Sequence, residues 1–266
     1  MSISDDSSAA AADSAGGGGH GPLLSLRGIS KTFGPVRALT EVDLNVPAGS
    51  VTALVGDNGA GKSSLIKTIA GLWRPDGGEI HWEGAQVELH GPKDAEALGI
   101  TTIYQDLALC ENLDIVQNMF LGHELTARGM LDETPMEIKA RETLRDLHVV
   151  TVRSIRQPVA SLSGGQRQSV AVAKAVMSNA KLVIMDEPTA ALGVAQTTMV
   201  LELIKQLASR GVAVLVISHN LNDVFEVADR IAVLYLGRLA IEGPVDQFDR
   251  QSVVEYMTTG TAAQAA

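Results

Sequence analysis

The stretch Gly56-Asp57-Asn58-Gly59-Ala60-Gly61-Lys62-Ser63 decides how this chain is expected to fold. It fits the pattern G-x-x-x-x-G-K-[S/T], in which glycines let backbone N–H groups converge on phosphate oxygens at the start of a helix. The apolar run from Val51 to Val55 before it predicts a buried strand, and the residues from Lys62 to Ala70 predict a helix. Strand, glycine turn and helix together are typical of the opening of a βαβ unit.

Side chains around this loop are candidates for nucleotide chemistry. Lys62 is expected to reach the β- and γ-phosphates of a bound nucleotide, and the Ser63 hydroxyl to hold Mg²⁺. The apolar strand 182–185 delivers Asp186 and Glu187 to the C-terminal edge of the sheet, where α/β proteins bind ligands. Asp186 is placed to hold Mg²⁺, directly or through water, and Glu187 to orient and deprotonate an attacking water. Without this context, the loop could be a plain glycine-rich turn and the acidic pair a solvated surface.

The rest of the chain is predicted to form one domain over residues 23–258. It is preceded by a Ser/Ala/Gly-rich tail at 1–22, and it is followed by a short tail at 259–266. Helical spacing with no strong strand over about 106–162 predicts a helical subdomain inserted into this domain.

Local patterns support this organisation. Alternating apolar residues from 23 to 55 predict a β layer, and strands alternating with helices after Ser163 predict a parallel sheet. Within the helical subdomain, Thr134 is expected to cap a helix, with Pro135 at its first position and Glu137 closing a capping box.

Composition excludes several classes of function. The chain has 21 basic and 31 acidic residues, and its formal charge of -10 repels phosphate backbones, so no nucleic-acid partner is expected. A single cysteine excludes an internal disulfide and suits a reducing compartment. No run approaches the ~18 to 20 consecutive apolar residues of a membrane-spanning helix, and residues 1–22 do not resemble a secretory signal. These observations predict a cytoplasmic location.

The string Leu162-Ser163-Gly164-Gly165-Gln166, just before a predicted helix, is the signature of ATP-binding cassette (ABC) proteins. The chain resembles this family over residues 23–258 and has its main motifs in the same order. The resemblance implies a P-loop NTPase of ABC type, an α/β fold with a mostly parallel sheet core, an antiparallel β layer and the inserted helical subdomain. It also implies ATP and Mg²⁺ as cofactors, and a dimer, expected to be a homodimer, in which each ATP lies between two chains.

The resemblance also assigns roles to individual positions. Gln105 matches the glutamine that contacts Mg²⁺ or the attacking water, and Phe33 lies where the family places an aromatic ring against adenine. His219 matches the histidine that contacts the γ-phosphate and holds Glu187. The residues expected to bind the nucleotide within one chain are Gly56, Asn58, Gly59, Ala60, Gly61, Lys62, Ser63 and Ser64. The residues expected to close on the γ-phosphate held by a second cassette are Ser163, Gly164, Gly165 and Gln166.

Further strings narrow the resemblance to one subgroup. Tyr104-Gln105-Asp106-Leu107, Asn118-Met119-Phe120-Leu121-Gly122 and Glu187-Pro188-Thr189-Ala190-Ala191-Leu192 are similar to cassettes that energise monosaccharide uptake. Because each motif occurs once, the chain looks closest to the ATP-binding subunit of fructose- or ribose-type importers. The resemblance implies an integral membrane permease, an extracytoplasmic sugar-binding protein and a peripheral position on the inner face of the cell membrane. Residues 106–122, beside Gln105, are expected to line the groove for a permease helix.

The sequence departs from the family pattern at one position, and three other functions are alternatives to carbohydrate import. Gly193 replaces the aspartate that usually ends the segment after Glu187. A soluble ABC ATPase of an assembly machinery, such as an iron–sulfur scaffold, and an importer subunit for a different small solute share the same nucleotide motifs. An ABC protein acting on DNA or ribosomes is disfavoured by the charge of -10. The strings at 104–106 and 188–193 favour the carbohydrate importer.

Overall fold

The computed structural model describes residues 21–261, apart from residues 148, 150, 151 and 153. The predicted tails at 1–22 and 259–266 therefore fall mostly outside the described residues. The strands are β1 (Leu24–Phe33), β2 (Val36–Val46), β3 (Val51–Val55), β4 (Gly77–Trp82), β5 (Ala85–Val87), β6 (Ile100–Ile103), β7 (Thr126–Ala127), β8 (Met130–Leu131), β9 (Leu182–Asp186), β10 (Ala213–Ile217), β11 (Arg230–Tyr235) and β12 (Arg238–Pro244). The helices are α1 (Lys62–Ile69), α2 (Pro92–Leu98), α3 (Ile115–Phe120), α4 (Glu133–Asp146), α5 (Gly164–Met177), α6 (Val194–Ser209), α7 (Leu221–Val227) and α8 (Arg250–Thr259).

A six-stranded sheet in the order β12-β11-β3-β10-β9-β6 forms the centre of the fold. Its strands are parallel except for β12, which pairs antiparallel with β11. Successive side chains of β9 face opposite layers: Val183 and Met185 pack with α5 and α6, whereas Ile184 packs with α1. Both faces of these short apolar strands are buried for this reason. The predicted, mostly parallel sheet is confirmed.

The predicted antiparallel layer is a second sheet in the order β2-β1-β4-β5. β1 and β2 form a hairpin in which Phe33 pairs with Val36, so the turn consists of Gly34 and Pro35, two residue types that favour turns. Apolar residues of β1 and β2 form one core with α1, including Leu26, Leu44 and Leu65. This layer therefore packs against α1 on the face of the central sheet opposite to α5 and α6.

The helical region between β6 and α5 differs from its prediction in two places. α4 begins at Glu133, so the predicted capping box at Thr134 is wrong: the cap position is Asp132, and its side chain accepts no capping hydrogen bond. Glu137 instead accepts a hydrogen bond from the Arg156 guanidinium at 2.8 Å. Pro135 is compatible with a helix that begins at Glu133, because it lies in the first turn. Backbone N–H groups there have no acceptor within the helix, so the N–H that proline lacks is not missed. The short β7–β8 hairpin was also not predicted.

The last two helices pack on the outer part of the central sheet. α7 and α8 share a small core with β11 that includes Val224, Val233 and Val253. α8 runs to Thr259, one residue past the predicted end of the domain at 258. Across the described ranges, no helix combines the length and the apolar character needed to cross a membrane.

Candidate active site

Four parallel strands bring the predicted site residues to one edge of the central sheet. The phosphate loop follows β3, Gln105 follows β6, Asp186 ends β9 and His219 follows β10. The register pairs Ile217 with Asp186, so that β9 and β10 end at the same level. Because the carboxyl ends of parallel strands meet at one edge, side chains far apart in the sequence converge beside the phosphate loop.

The phosphate loop has the backbone geometry that a phosphate-binding turn needs. Gly56 has φ +155°, and a Cβ there would lie 2.3 Å from the carbonyl oxygen of Leu234, so that only glycine fits. The first hydrogen bond within α1 runs from the Leu65 N–H to the Gly61 oxygen at 3.0 Å. The N–H groups of residues 62–64 thus have no acceptor within the helix. They are free to bind an anion at its positive end.

A cavity of about 480 Å³ opens over this loop. The predicted residues that line it are Asn58, Gly59, Gly61, Lys62, Ser63 and Ser64. Gly56 and Ala60 are buried beneath it and shape the loop. Val36, Arg37, Leu236 and Gly237 also line the cavity, and sequence reasoning missed them. Leu236 and Gly237 could have been identified, because they form the turn after β11. β11 ends beside β3 at this edge, so that turn must lie near the phosphate loop.

Lys62, Asp186 and Glu187 form a partly buried group of charges. The Lys62 ammonium donates to the Gly56 carbonyl at 2.6 Å and to the Asp57 carbonyl at 3.0 Å. Burial lowers the pKa of Lys62, and the carboxylates of Glu187 and Asp186 act in the opposite direction. Burial and the neighbouring Glu187 raise the pKa of Asp186 against the attraction of Lys62. Lys62 alone therefore does not neutralise the carboxylates of the site.

The donor set suits Mg²⁺. The carboxylate of Asp186, the hydroxyl of Ser63 and the amide of Gln105 offer the oxygen ligands that this cation prefers. Ser63 Oγ makes no hydrogen bond to any residue in the described ranges. No group of three His, Cys, Asp or Glu side chains that could enclose a metal occurs among the described residues. Mg²⁺ sites that also use substrate phosphates commonly contain only one or two carboxylates, with several water molecules kept on the ion.

The Glu187 carboxylate is held by His219. Oε2 of Glu187 lies 2.7 Å from Nδ1 of His219, with the glutamate side chain 19% exposed and the histidine side chain 71% exposed. The Glu187 N–H donates to the Ile217 carbonyl at 2.9 Å and so extends the sheet ladder by one residue. Glu187 has φ +51°, a left-handed conformation that costs a non-glycine residue on the order of 1 kcal/mol. The sheet thus holds the strained backbone of Glu187 at the end of the strand, and the histidine lies against its carboxylate.

Asp223 is a further residue of this region that sequence reasoning missed. Its buried carboxylate accepts a hydrogen bond from Thr189 Oγ1 at 2.6 Å. Thr189 belongs to the turn after Glu187, and Asp223 lies in the first turn of α7, just after His219. The bond therefore ties together the two loops that carry the Glu187–His219 pair. The sequence contained one signal for Asp223: it is an acidic residue among the apolar positions of a short helix.

Gln105 and Glu187 line a second cavity, of about 320 Å³, together with Gly164 of the signature. Gln105 is exposed, and its side chain makes no hydrogen bond in the part of the chain that the structure covers. Its amide is therefore accessible to a ligand that enters this cavity.

Asn118 organises the loop that follows Gln105. Its buried Oδ1 accepts the N–H of Cys110 at 2.7 Å. Its Nδ2 donates to the carbonyls of Cys110, Leu113 and Asp114 at 2.9, 3.2 and 3.0 Å. The string that suggested the subgroup thus contains a side chain that shapes the connection between Gln105 and the helical region.

The signature residues cap α5 and pack it onto α6. Ser163 Oγ accepts the Gln166 N–H at 3.3 Å, and Gln166 Oε1 accepts the Ser163 N–H at 2.9 Å, which forms a capping box. A Cβ on Gly165 would lie 2.9 Å from Met199 Cε and 3.1 Å from Gln196 Cβ. The close approach of α5 and α6 therefore leaves little room for a larger side chain at this position. None of the four signature residues lines the cavity over the chain's own phosphate loop.

Gly193, the departure from the family pattern, precedes the first residue of α6. Its φ is -75°, which any residue adopts, and a Cβ there would meet no atom within 4 Å. Neither backbone nor packing requires glycine here. The next residue, Val194, leaves its side chain almost fully exposed.

Phe33 ends β1 beside the phosphate cavity without lining it. Its hairpin partner Val36 forms part of the cavity wall. The Phe33 side chain is 39% exposed, and its ring centroid lies 4.6 Å from that of Trp73, with the ring planes at 65°. Trp73 was not among the predicted site residues.

A groove of about 340 Å³ lies between α2, β6 and α5. The expected segment 106–122 contributes Leu107 and Ala108 to its lining. Ile115 and Val116, which were expected to line a docking groove, are instead buried in the core of the helical region. α2 and α5 provide much of the remaining wall.

Comparison with known proteins agrees with the fold and the motif order. The family model described as ABC transporter matches residues 39–190. Fructose import ATP-binding protein FrcA of Rhizobium meliloti is 47% identical over 245 residues, covering 89% of this chain and 94% of that protein. Xylose/arabinose import ATP-binding protein XylG of Sulfolobus acidocaldarius is 45% identical over 237 residues, with the same coverage of 89% and 94%.

Comparison with solved structures also finds ATP-binding cassettes. A nucleotide-free ATP-binding cassette from an ABC transporter matches with a TM-score of 0.77 and 27% identity, covering 88% of this chain and 97% of that one. The dimeric structure of a post-hydrolysis state of the ATP-binding cassette MJ0796, bound to ADP and Pi, matches with a TM-score of 0.70 and 26% identity, covering 84% and 98%. The predicted α/β cassette fold is confirmed, and the chain belongs to the ABC transporter family.

Proposed function

We propose that this cassette binds ATP with Mg²⁺ and hydrolyses it to drive the import of a monosaccharide through a membrane permease. The ATPase part rests on the contact of 2.7 Å between Glu187 and His219, beside Lys62 and Asp186. The transport part is supported by the named functions of the relatives, fructose import at 47% identity and xylose/arabinose import at 45% identity. Those names favour an importer over an assembly ATPase and a sugar over another small solute.

Binding would begin at the phosphate loop. The Lys62 ammonium would exchange its contacts with loop carbonyls for oxygens of the β- and γ-phosphates, and the N–H groups at the start of α1 would add hydrogen bonds. Ser63, Asp186 and Gln105 would hold Mg²⁺. When bound, this ion neutralises phosphate charge and polarises the γ-phosphoryl group.

Hydrolysis would then depend on Glu187. Its carboxylate takes a proton from a water molecule while the water oxygen bonds to the γ-phosphorus. The bond from that phosphorus to the β,γ-bridging oxygen breaks, and its electron pair leaves with ADP. His219, with Nδ1 2.7 Å from Oε2, would orient the carboxylate, and its exposed ring would contact the γ-phosphate.

The complete site would need a second chain. Ser163, Gly164, Gly165 and Gln166 lie outside the cavity over the chain's own phosphate loop, so we propose that they close on the nucleotide of a partner cassette in a C2 homodimer. The dimeric structure of the related cassette MJ0796 supports this arrangement. ATP would favour the closed dimer through its higher affinity for that state, and hydrolysis would allow reopening.

The partners of the dimer follow from the proposed import. A permease helix would dock in the groove between α2, β6 and α5, which would place the cassette peripherally on the inner face of the cell membrane. An extracytoplasmic binding protein would select the sugar.

Affinity capture of the Glu187→Gln protein with ATP, from detergent-solubilised membranes of its host, tests this proposal. We expect a polytopic permease to co-purify, and its reconstitution in vesicles should give ATPase activity that rises with a monosaccharide and its binding protein. The double variant Lys62→Ala/Glu187→Gln is the matched control and should lose the effect of ATP on capture. Recovery of soluble assembly proteins alone would contradict the transport part and leave the ATPase part standing.

A further inference from the structure

The contact between Phe33 and Trp73 joins the predicted adenine-binding ring to a second aromatic ring. The centroids lie 4.6 Å apart with the planes at 65°, an edge-to-face arrangement. This geometry is attractive because the positive edge of one ring meets the negative face of the other. Trp73 is only partly buried, so its ring forms part of the molecular surface beside Phe33.

Trp73 is also tied to the helix that begins at the phosphate loop. The backbone N–H of Trp73 donates to the Lys67 carbonyl at 3.1 Å. The Lys67 ammonium lies 4.6 Å from the centroid of the indole ring. A cation at this distance is attracted by the ring face. Because Lys67 lies in the last turn of α1, the position of Trp73 follows the position of α1.

A second set of contacts fixes the segment after Trp73 to the end of β1. Asp76 Oδ2 accepts the Thr32 N–H at 2.7 Å, and Oδ1 accepts the Lys31 ammonium at 2.8 Å. Lys31 in turn lies 5.6 Å from the centroid of the Phe33 ring. The segment therefore cannot move away from β1 without breaking charged hydrogen bonds, and Trp73 stays against Phe33.

We propose that Trp73 is a positioning residue for the nucleotide base, because it backs the Phe33 ring and sets the orientation in which adenine stacks on it. This inference rests on the proposed binding of ATP at this site. Phe33 ends a strand of an exposed hairpin, and backing by Trp73 reduces the rotational freedom that its side chain would lose on stacking. Through Lys67, the same ring couples the base-binding surface to the phosphate-binding helix.

The test compares ATP with tripolyphosphate, which carries phosphates and no base. Trp73→Ala should weaken ATP binding by about threefold to tenfold in titration calorimetry, the range expected for an aromatic pair, and leave tripolyphosphate binding unchanged. Phe33→Ala should weaken ATP binding at least as much. Adding Trp73→Ala to Phe33→Ala should have little further effect, because the backing ring acts only through Phe33. Trp73→Phe keeps an aromatic edge and should recover most of the affinity.

Fluorescence gives a second measurement that does not depend on a destabilising variant. The chain has two tryptophans, and Trp82 is buried in β4. Stacking of adenine on Phe33 should change the emission of Trp73 when ATP binds. The change should vanish in Trp73→Phe, where Trp82 alone remains, and thermal unfolding should show both proteins folded.

Three results would overturn the role of Trp73. They are an unchanged ATP affinity in Trp73→Ala, an equal loss of affinity for ATP and tripolyphosphate in that variant, and additivity with Phe33→Ala. Lys62→Ala distinguishes these from failure of the proposed nucleotide site, since it should weaken the binding of both ligands. If neither Lys62→Ala nor Phe33→Ala changes ATP binding, the nucleotide does not bind here and both proposals fall.

Discussion

Replacement of Asn118 by alanine should destabilise the connection between Gln105 and the helical region. The Asn118 side chain is 1% exposed and makes four hydrogen bonds to the backbone of residues 110–114. Its two amide hydrogens share three acceptors, so these contacts amount to about three full hydrogen bonds, each with a net value of about 1 kcal/mol. We expect the free energy of unfolding to fall by about 3 kcal/mol. In a domain of this size that corresponds to a fall in Tm of about 6–12 °C.

Circular dichroism during heating, supported by urea titration, measures this loss. Asn112→Ala is the matched control, because Asn112 is an exposed asparagine of the same loop with no hydrogen bond to any described residue. Its effect should stay within about 0.5 kcal/mol. Asn118→Asp keeps the acceptor oxygen but turns a carboxylate towards three carbonyls, so it should destabilise at least as much as alanine. A Tm of Asn118→Ala equal to that of Asn112→Ala would refute the reasoning.

Three further changes test the site. Glu187→Gln should retain ATP binding, lose about 100-fold or more in turnover and accumulate an ATP-dependent dimer on size exclusion; normal turnover would remove Glu187 as the base. Asp186→Asn should raise the Tm of the nucleotide-free protein at pH 7. Burial raises the pKa of Asp186, so the native state loses stability as pH rises above the unfolded pKa of about 4, and the advantage of the variant should disappear below that pH. Gly165→Ala places a Cβ 2.9 Å from Met199 Cε and should cost about 1–3 kcal/mol in urea unfolding; Met199→Ala should restore part of that loss.

Strand positions could be predicted because each buried strand is a short apolar run between turn signals. The predicted strand at Val51–Val55 is confirmed as β3, and the predicted apolar strand at 182–185 is confirmed as β9, which ends at Asp186. Parallel pairing then places every residue that follows such a strand at the same edge. The positions of Gln105, Asp186 and His219 around the phosphate loop therefore needed no knowledge of side-chain contacts, whereas their chemical roles stay predictions.

The features that escaped prediction arise from contacts between distant side chains. Glu137 pairs with Arg156 instead of closing a capping box, and no local pattern reports that pairing. Trp73 meets Phe33 across 40 positions of sequence because α1 and the antiparallel layer share one core. Asp223 reaches Thr189 only because α7 follows the strand next to β9. Periodicity places elements, but it does not identify which polar groups meet between them.

The left-handed backbone at Glu187 has a consequence for engineering this protein. Glycine adopts a φ of +51° at little cost, so Glu187→Gly would relieve strain on the order of 1 kcal/mol and remove the negative charge beside Asp186. A library selected for thermal survival alone, without nucleotide, should therefore enrich glycine at this position. Optimisation for robustness alone would discard the residue that we propose as the base, and a redesign must hold it constant before any other position is allowed to vary.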